Sequence, residues 1–341
     1  EDGIRDHCVT GVQTCALPIS EFLWQEGHTA HSNEPEAREE VLRMLEVYRD
    51  FVETELAIPV FPGKKSDAER FAGAQETYTI EGLMKDGKAL QAGTSHHLGQ
   101  HFAKVFNIRF QDDTGKLEYA WQTSWGVSTR LIGALVMVHG DDAGLRLPPK
   151  VAPIQTVIVP IWRKEEDRAA VQAFIGKVRE ALGDGIRVHV DDRDQYSPGW
   201  KYNEYEMRGV PVRLEIGPKD VANQAVMSVR RDTRAKESIP LAQLGERLPA
   251  LLADIQQGLF QQALDHRTAN TTLVHSLDEV IAHFAAEKRG FVAVPWDGSA
   301  TFEAKVKEQT GATLRCVPFD TERFASIAKD GHRVALFARS Y

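Results

Sequence analysis

Cysteine is scarce in this 341-residue chain: there are three, at positions 8, 15 and 316. Their irregular spacing excludes a disulfide framework and points to a reducing, cytoplasmic setting. Long apolar runs are missing too. None approaches the roughly 20 residues needed to span a bilayer, so no membrane partner is expected. Positive charge is not in excess: 41 lysines and arginines face 49 acidic residues, for a net charge of −8. That balance excludes a general nucleic-acid coat, but it leaves room for a protein that reads RNA through a local basic and aromatic patch. Hydrophobic content of 42% and charged content of 26% are those of a globular protein. The length implies two or three domains.

The first twenty residues, EDGIRDHCVTGVQTCALPIS, read as a translated sequencing adapter, and we expect residues 1–20 to be non-native. A targeting peptide is the competing reading, but the stretch has neither a basic start nor a sustained apolar core. Cys8 and Cys15 go with this segment, which leaves Cys316.

Chemistry concentrates in Ser124–Asp142, SWGVSTRLIGALVMVHGDD. Arg130 stands between a strand signal and an apolar run from Leu131 to Val138, which reads as a buried helix. Arginine is seldom buried without a partner, so one reading is an internal salt bridge. The other is a phosphate clamp, because guanidinium offers a fixed fork of donors. Upstream, Gln91–Gln100 (QAGTSHHLGQ) brings a glycine, hydroxyls and paired histidines to the end of a short strand, a polar pocket floor. His96 and His97 are adjacent on that strand and face opposite sides, so a shared metal ion is awkward; no nearby cysteine or carboxylate completes a site.

Along the chain, Glu34–Leu56 reads as an amphipathic helix with Asn33 as cap and Pro35 in its first turn. Val41, Leu42, Leu45, Tyr48 and Val52 form its core stripe. A short strand follows at Ile58–Gly63, and Thr77–Leu83 is a strand or short helix. Trp24 and Phe71, taken alone, are core anchors. The double proline at Leu147–Lys150 marks a boundary. Beyond it, strands at Gln155–Ile161, Ile186–Val190, Val210–Ile216 and Ala225–Arg230 alternate with a helix at Glu165–Leu182. This implies an α/β unit with a largely parallel sheet, closed by a long helix at Leu241–Leu264. Its segment Tyr196–Asp220, YSPGWKYNEYEMRGVPVRLEIGPKD, gathers basic and aromatic residues suited to stacking and hydrogen-bonding RNA bases; a solvated charged loop is the plainer reading. A third αβ unit has a helix at Leu277–Lys288 and a strand at Phe291–Pro295.

These blocks resemble prolyl-tRNA synthetase of the archaeal and eukaryotic-like type, from about residue 20 to Tyr341. SEFLWQEGHTAH looks like the second half of class II motif 2, GTSHHLGQ like the proline-pocket strand, and SWGVSTRLIGALVMVHGDD like motif 3. YSPGWKYNEYEMRGVPVRLEIGPKD looks like the signature of the anticodon-binding domain. The resemblance implies a mixed α/β and α+β multidomain fold. Residues 21–150 would be the later part of an antiparallel-sheet catalytic domain, 151–265 the anticodon-binding domain and 266–341 the family's C-terminal domain. It implies activation of L-proline by ATP with Mg2+ and transfer to tRNA(Pro), by an enzyme that is a homodimer at full length. Arg130 is then the catalytic arginine, and Gln91 and Thr94 join it on ATP. Trp24, Phe71, His96 and Thr129 hold proline, with Ser128 a further substrate-side candidate and His97 a packing residue. Lys201, Arg208, Arg213 and Glu215 meet the anticodon. Many relatives hold zinc through four cysteines in the C-terminal domain; here Asp297 stands at the first position and Cys316 lies outside the set, so zinc is not expected. The terminal tyrosine is expected to fold back toward the active site. Motif 1 and the front of motif 2 are expected upstream, so the fragment alone is expected to be inactive. The rivals are another class II synthetase, threonyl or histidyl, and a non-catalytic RNA-binding module related to synthetases.

Overall fold

The computed structural model describes residues 23–162 and 164–341; residues 1–20, read above as an adapter, lie outside them. The first unit runs β1 (Trp24–His31), α1 (Glu34–Asp50) continuing into a π turn (Phe51–Glu55), β2 (Val60–Lys64), β3 (Glu76–Leu83) and β4 (Ala89–Gly99). It goes on through α2 (His101–Phe106), β5 (Arg109–Gln111), β6 (Leu117–Tyr119), β7 (Trp121–Ser128) and α3 (Arg130–His139). The second comprises β8 (Thr156–Pro160), α4 (Glu165–Leu182), β9 (Val188–Val190), α5 (Pro198–Met207), β10 (Val212–Ile216), α6 (Pro218–Ala222), β11 (Ala225–Arg230), β12 (Lys236–Pro240) and α7 (Leu241–Ala269). The third holds β13 (Thr271–Leu273), α8 (Leu277–Ala285), β14 (Phe291–Trp296), α9 (Ala300–Thr310), β15 (Thr313–Pro318), a 3-10 turn (Glu322–Ile327) and β16 (Arg333–Ala338).

The main sheet has the order β1-β7-β4-β3-β2-β15-β16-β14-β13, antiparallel throughout except for the last pair. The third unit therefore continues the sheet of the first. Gly63 makes the junction possible: a Cβ there would sit 2.5 Å from the Val317 carbonyl oxygen and 2.9 Å from Cys316 Sγ. Cys316 is buried with Phe61, Leu83, Phe291 and Phe324, an environment that pushes its thiol well above the usual range and keeps it inert.

Helix α1 begins where expected, with Asn33 Oδ1 accepting the Glu36 N–H at 3.0 Å. Val41, Leu45, Tyr48 and Val52 pack on the sheet, but Leu42 is exposed. One residue on from Val41, it is turned about 100° off the buried line. Helix α3 is likewise two-sided: Leu131, Leu135 and Val138 are buried while Ile132 and Val136 face outward. The apolar run that read as a buried helix is thus buried along one face.

The second unit's sheet, β12-β11-β10-β8-β9, is mixed rather than largely parallel. β8 pairs parallel with β9 and β10, while β10–β11 and β11–β12 are antiparallel. Parallel pairing needs a long crossover, which α4 and α5 supply; α6 and the turn after β11 are too short for one. The edge strand β12, KESIP, carries little apolar pattern and was not expected. Phe174, Leu214, Leu248 and Ile255 pack between the sheet and helices α4 and α7.

Candidate functional site

Strand β1 is an edge of the main sheet among the described residues, and its alternation puts Trp24, Glu26 and His28 on one face. Those three line a cavity of about 740 Å³ together with Gln91, Thr94 and His96 of β4, Ser124 and Ser128 of β7, Arg130, and Phe71 of the loop before β3. Gln91 would face away from Thr94 and His96 in a regular strand. The β3–β4 register jumps from Ile80↔Gly93 to Glu81↔Gln91, so Ala92 is the extra residue of a bulge. Bulges of this kind re-aim side chains, and all three residues reach the same cavity. β4 is also an eleven-residue strand, not the short one expected.

Two features shape the apolar end. Gly27 pairs with Trp125 across β1 and β7, and a Cβ on it would meet the indole at 2.3 Å; the ring can lie there only over a glycine. Phe71 stands 4.8 Å from the His96 ring, tied to it through Thr77, whose hydroxyl accepts the Phe71 N–H at 3.0 Å and lies 3.0 Å from His96 Nδ1. Phe102 and Phe106, four apart on α2, add aromatic surface. Burial lowers the His96 pKa to about 4, so the ring is neutral at pH 7. His97, on the opposite face, is fully buried beside Trp121.

The cavity's arginine is Arg130, exposed at the start of α3, with Nη1 donating to the Gln91 carbonyl oxygen at 3.5 Å. It forms no ion pair with a carboxylate among the described residues, so the salt-bridge reading finds no support there. Thr129 caps α3 through its backbone, its carbonyl oxygen accepting the Ile132 N–H at 3.0 Å while its own N–H donates to the Leu23 carbonyl oxygen, and it does not line the cavity; Ser128 does. Tyr341 is also not on the lining. Ser340 bridges to Ala89, and the tyrosine ring lies 4.6 Å from Lys88 Nζ at the β3–β4 turn. Glu26, His28, Gln122 and Ser124 were not singled out, although period-two alternation along WQEGHTAH would have found the first two.

The proposed RNA contacts divide. Arg208 is exposed, with Nη2 2.5 Å from Glu204. Lys201 is only 3% exposed, and its ammonium donates to the Asp191 carbonyl oxygen at 2.9 Å. Arg213 is buried over Tyr202, at 4.0 Å, and paired with Glu215 and Glu206. The surface instead presents Tyr196 and Trp200, stacked at 3.8 Å and 11°. Arg193 lies 4.9 and 5.4 Å from their centroids and is held by Asp191 and Glu204. Trp200 is 43% exposed.

The histidines give the fold an acid limit. His139 Nε2 donates to the Leu56 carbonyl oxygen at 2.8 Å, and burial lowers its pKa to about 4, as for His96. Each binds its proton near pH 6.5 when unfolded and only near 4 when folded, so the unfolded state holds more protons in between. Stability is full above 6.5 and falls as pH drops toward 4, by on the order of 3 kcal/mol for each histidine. Urea midpoints taken from pH 7 to 4.5 should fall accordingly; a flat profile contradicts the burial argument.

The comparisons with known proteins agree with this fold. Residues 155–251 match the anticodon binding domain family, and residues 277–341 match the family described as prolyl-tRNA synthetase, C-terminal. The proline–tRNA ligase of Chloroflexus aggregans is 51% identical over 333 residues, covering 95% of this chain and 69% of that protein. That of Natranaerobius thermophilus is 52% identical over 330 residues, covering 95% and 68%. The crystal structure of Cryptosporidium parvum prolyl-tRNA synthetase complexed with L-proline and AMP superposes with a TM-score of 0.85 at 41% identity, over 94% of this chain and 70% of that one. An antiparallel sheet flanked by an anticodon-binding domain is the architecture of an aminoacyl-tRNA synthetase. Within that class, the chain belongs to the prolyl-tRNA synthetase family.

Proposed function

We propose that this chain supplies the substrate cavity and RNA-binding surface of an enzyme that activates L-proline with ATP and transfers it to tRNA(Pro). The convergence of Trp24, Phe71, Gln91, Thr94, His96 and Arg130 on one cavity carries this reading. Proline's ring offers only methylenes to grip, which the aromatic wall of Trp24 and Phe71 suits. Its carboxylate oxygen attacks the α-phosphorus of ATP, and pyrophosphate leaves with the electron pair of the broken P–O bond. A terminal hydroxyl of the tRNA then attacks the prolyl carbonyl carbon, and AMP departs. No side chain need act as nucleophile. Arg130 offsets charge on the phosphate, Gln91 and Thr94 orient the nucleotide, and His96 and Phe71 fix proline, so the catalysis is positioning and charge neutralisation. Thr129 acts through the backbone turn that presents Arg130. Magnesium commonly sits between substrate phosphates and one or two carboxylates; Glu26 and Glu69 are the carboxylates on the lining and would hold it. When bound it offsets phosphate charge.

The same proposal divides the chain into 21–150, 151–265 and 266–341, and takes the working enzyme to be a cytoplasmic homodimer; the outward Ile132 and Val136 of α3 support a protein-facing surface. The Tyr196–Trp200 stack, with Trp200 exposed, supports RNA binding, by base stacking; Arg208 is exposed at the opposite, C-terminal end of the same helix. Assays in a chain completed to the length of its relatives separate the roles. Phe71→Ala should raise the KM for proline in pyrophosphate exchange and in charging, by about 5- to 150-fold for a loss of about 1–3 kcal/mol of apolar contact. Trp200→Ala should weaken charging by a similar factor and leave tRNA-independent exchange intact. A non-catalytic RNA-binding module would retain RNA affinity and never consume ATP.

A further inference from the structure

A second cavity, of about 610 Å³, shares no lining residue with the first. One wall is α1, with the outward Leu42, Glu46 and Arg49 and the edge of the buried Leu45, continued by Glu53. The floor is β2, and the far wall is Phe319 and Asp320, which lead into the 3-10 turn, with Arg323 inside that turn. Arg267, near the end of α7, closes it.

Arg267 is anomalous. It is 7% exposed, yet forms no ion pair among the described residues. Nη1 donates to the Val60 carbonyl oxygen at 2.7 Å, the guanidinium lies 4.1 Å from the Phe61 ring centroid, and the buried Nε has no partner. Arg323 approaches the same ring, at 5.3 Å, and spends one donor on Thr268 Oγ1 at 3.1 Å. Burial first, and then repulsion from Arg323, depress the Arg267 pKa to about 10. Glu53 and Asp320 offset part of this without bonding the guanidinium; a buried cation with no directly bonded counterion is costly, and two guanidiniums converging on one aromatic ring make the natural place for an anion.

The remaining lining limits which anion fits. Glu53 and Asp320, together with Glu46, which is paired with Arg49, stand at the same cavity and would repel a polyphosphate or an RNA backbone. Two of them serve the backbone, Glu53 accepting the Val60 N–H at 3.1 Å and Asp320 the Arg323 N–H at 3.2 Å. Oxygens left over on these carboxylates suit an ammonium group. Leu45, Phe61 and the half-exposed Phe319 supply apolar surface between the two signs of charge. We propose that this cavity binds a small zwitterion with an apolar body, of the free apolar amino acid class, its carboxylate on Arg267 and Arg323 and its ammonium toward Glu53 and Asp320.

Calorimetric titration of the 341-residue chain with L-phenylalanine, hydrocinnamate, phenethylamine and pyrophosphate tests this. L-Phenylalanine should bind saturably, hydrocinnamate more weakly, and phenethylamine and pyrophosphate not at all. Arg323→Ala, at a half-buried position whose folding is checked by its melting curve, should weaken L-phenylalanine at least about tenfold, the loss of one charge-assisted contact. Arg267→Gln should do the same or more, while Phe71→Ala, in the first cavity, should leave the titration unchanged. Absence of saturable binding, indifference to Arg323→Ala, loss in Phe71→Ala, or binding of pyrophosphate as tight as that of L-phenylalanine would each overturn the assignment.

Discussion

Arg130→Ala in the completed enzyme is expected to slow prolyl-adenylate formation by about 30- to 1000-fold, the rate equivalent of losing about 2–4 kcal/mol of charge stabilisation. The expectation rests on the side chain's setting. Arg130 is exposed at the cavity mouth, touches only the Gln91 carbonyl oxygen at a long 3.5 Å, and has no carboxylate partner among the described residues. A cation so placed contributes little to folding, so the substitution should move stability by no more than about 0.5 kcal/mol. Rate and stability thus separate. Pyrophosphate exchange at saturating proline, set beside a melting curve, measures both. Unchanged exchange would remove Arg130 from the chemistry; a large fall in melting temperature would make it a structural residue after all.

How much of this was legible in the sequence depended on what each signal measured. The cavity residues came from long motifs, and Gln91, Thr94, His96, Phe71, Trp24 and Arg130 do meet at one cavity. Thr129 stood one residue too far: the chain turns into α3 there, and Ser128 takes the lining position. The sequence could not show that Ala92 bulges and so brings Gln91 to the face of Thr94, because a bulge is fixed by the partner strand's register and not by local composition.

The RNA-facing segment was legible as a segment and not as residues. Composition counts Lys201, Arg213, Trp200 and Tyr196 alike, and only packing sorts them. Lys201 and Arg213 lie inward because Asp191, Glu206 and Glu215 offer partners there, so a loss of charging in Lys201→Ala would report a damaged fold as readily as a lost RNA contact. The continuation of the first sheet into the third unit was not legible at all. β15 and β2 are some 250 residues apart, and each reads as an ordinary buried strand.

That junction carries the largest expected effect on stability. Glu81 on β3 is fully buried; its Oε1 accepts from Lys65 Nζ and from Thr79 Oγ1, both at 2.9 Å. Its Oε2 takes Arg315 Nε and Nη2, at 3.0 and 2.9 Å. Arg315 is the extra residue where the β15–β16 register slips between Leu314 and Cys316, and from that bulge it reaches across to β3. Glu81→Gln keeps the shape and removes the charge, leaving two buried cations without a counterion. Breaking a buried ion pair from one side typically costs about 3–5 kcal/mol, whereas replacing all partners by apolar residues of similar volume is often neutral. The single substitution should therefore lower the urea unfolding free energy of the 341-residue chain by about that amount. Hydrogen exchange should rise first in β15 and β2, where the third unit joins the sheet. The triple variant Glu81→Leu, Lys65→Met, Arg315→Met should regain much of the loss. If Glu81→Gln costs less than about 1 kcal/mol, the trio is solvated and the two units are held by their strand pairing and apolar contacts alone.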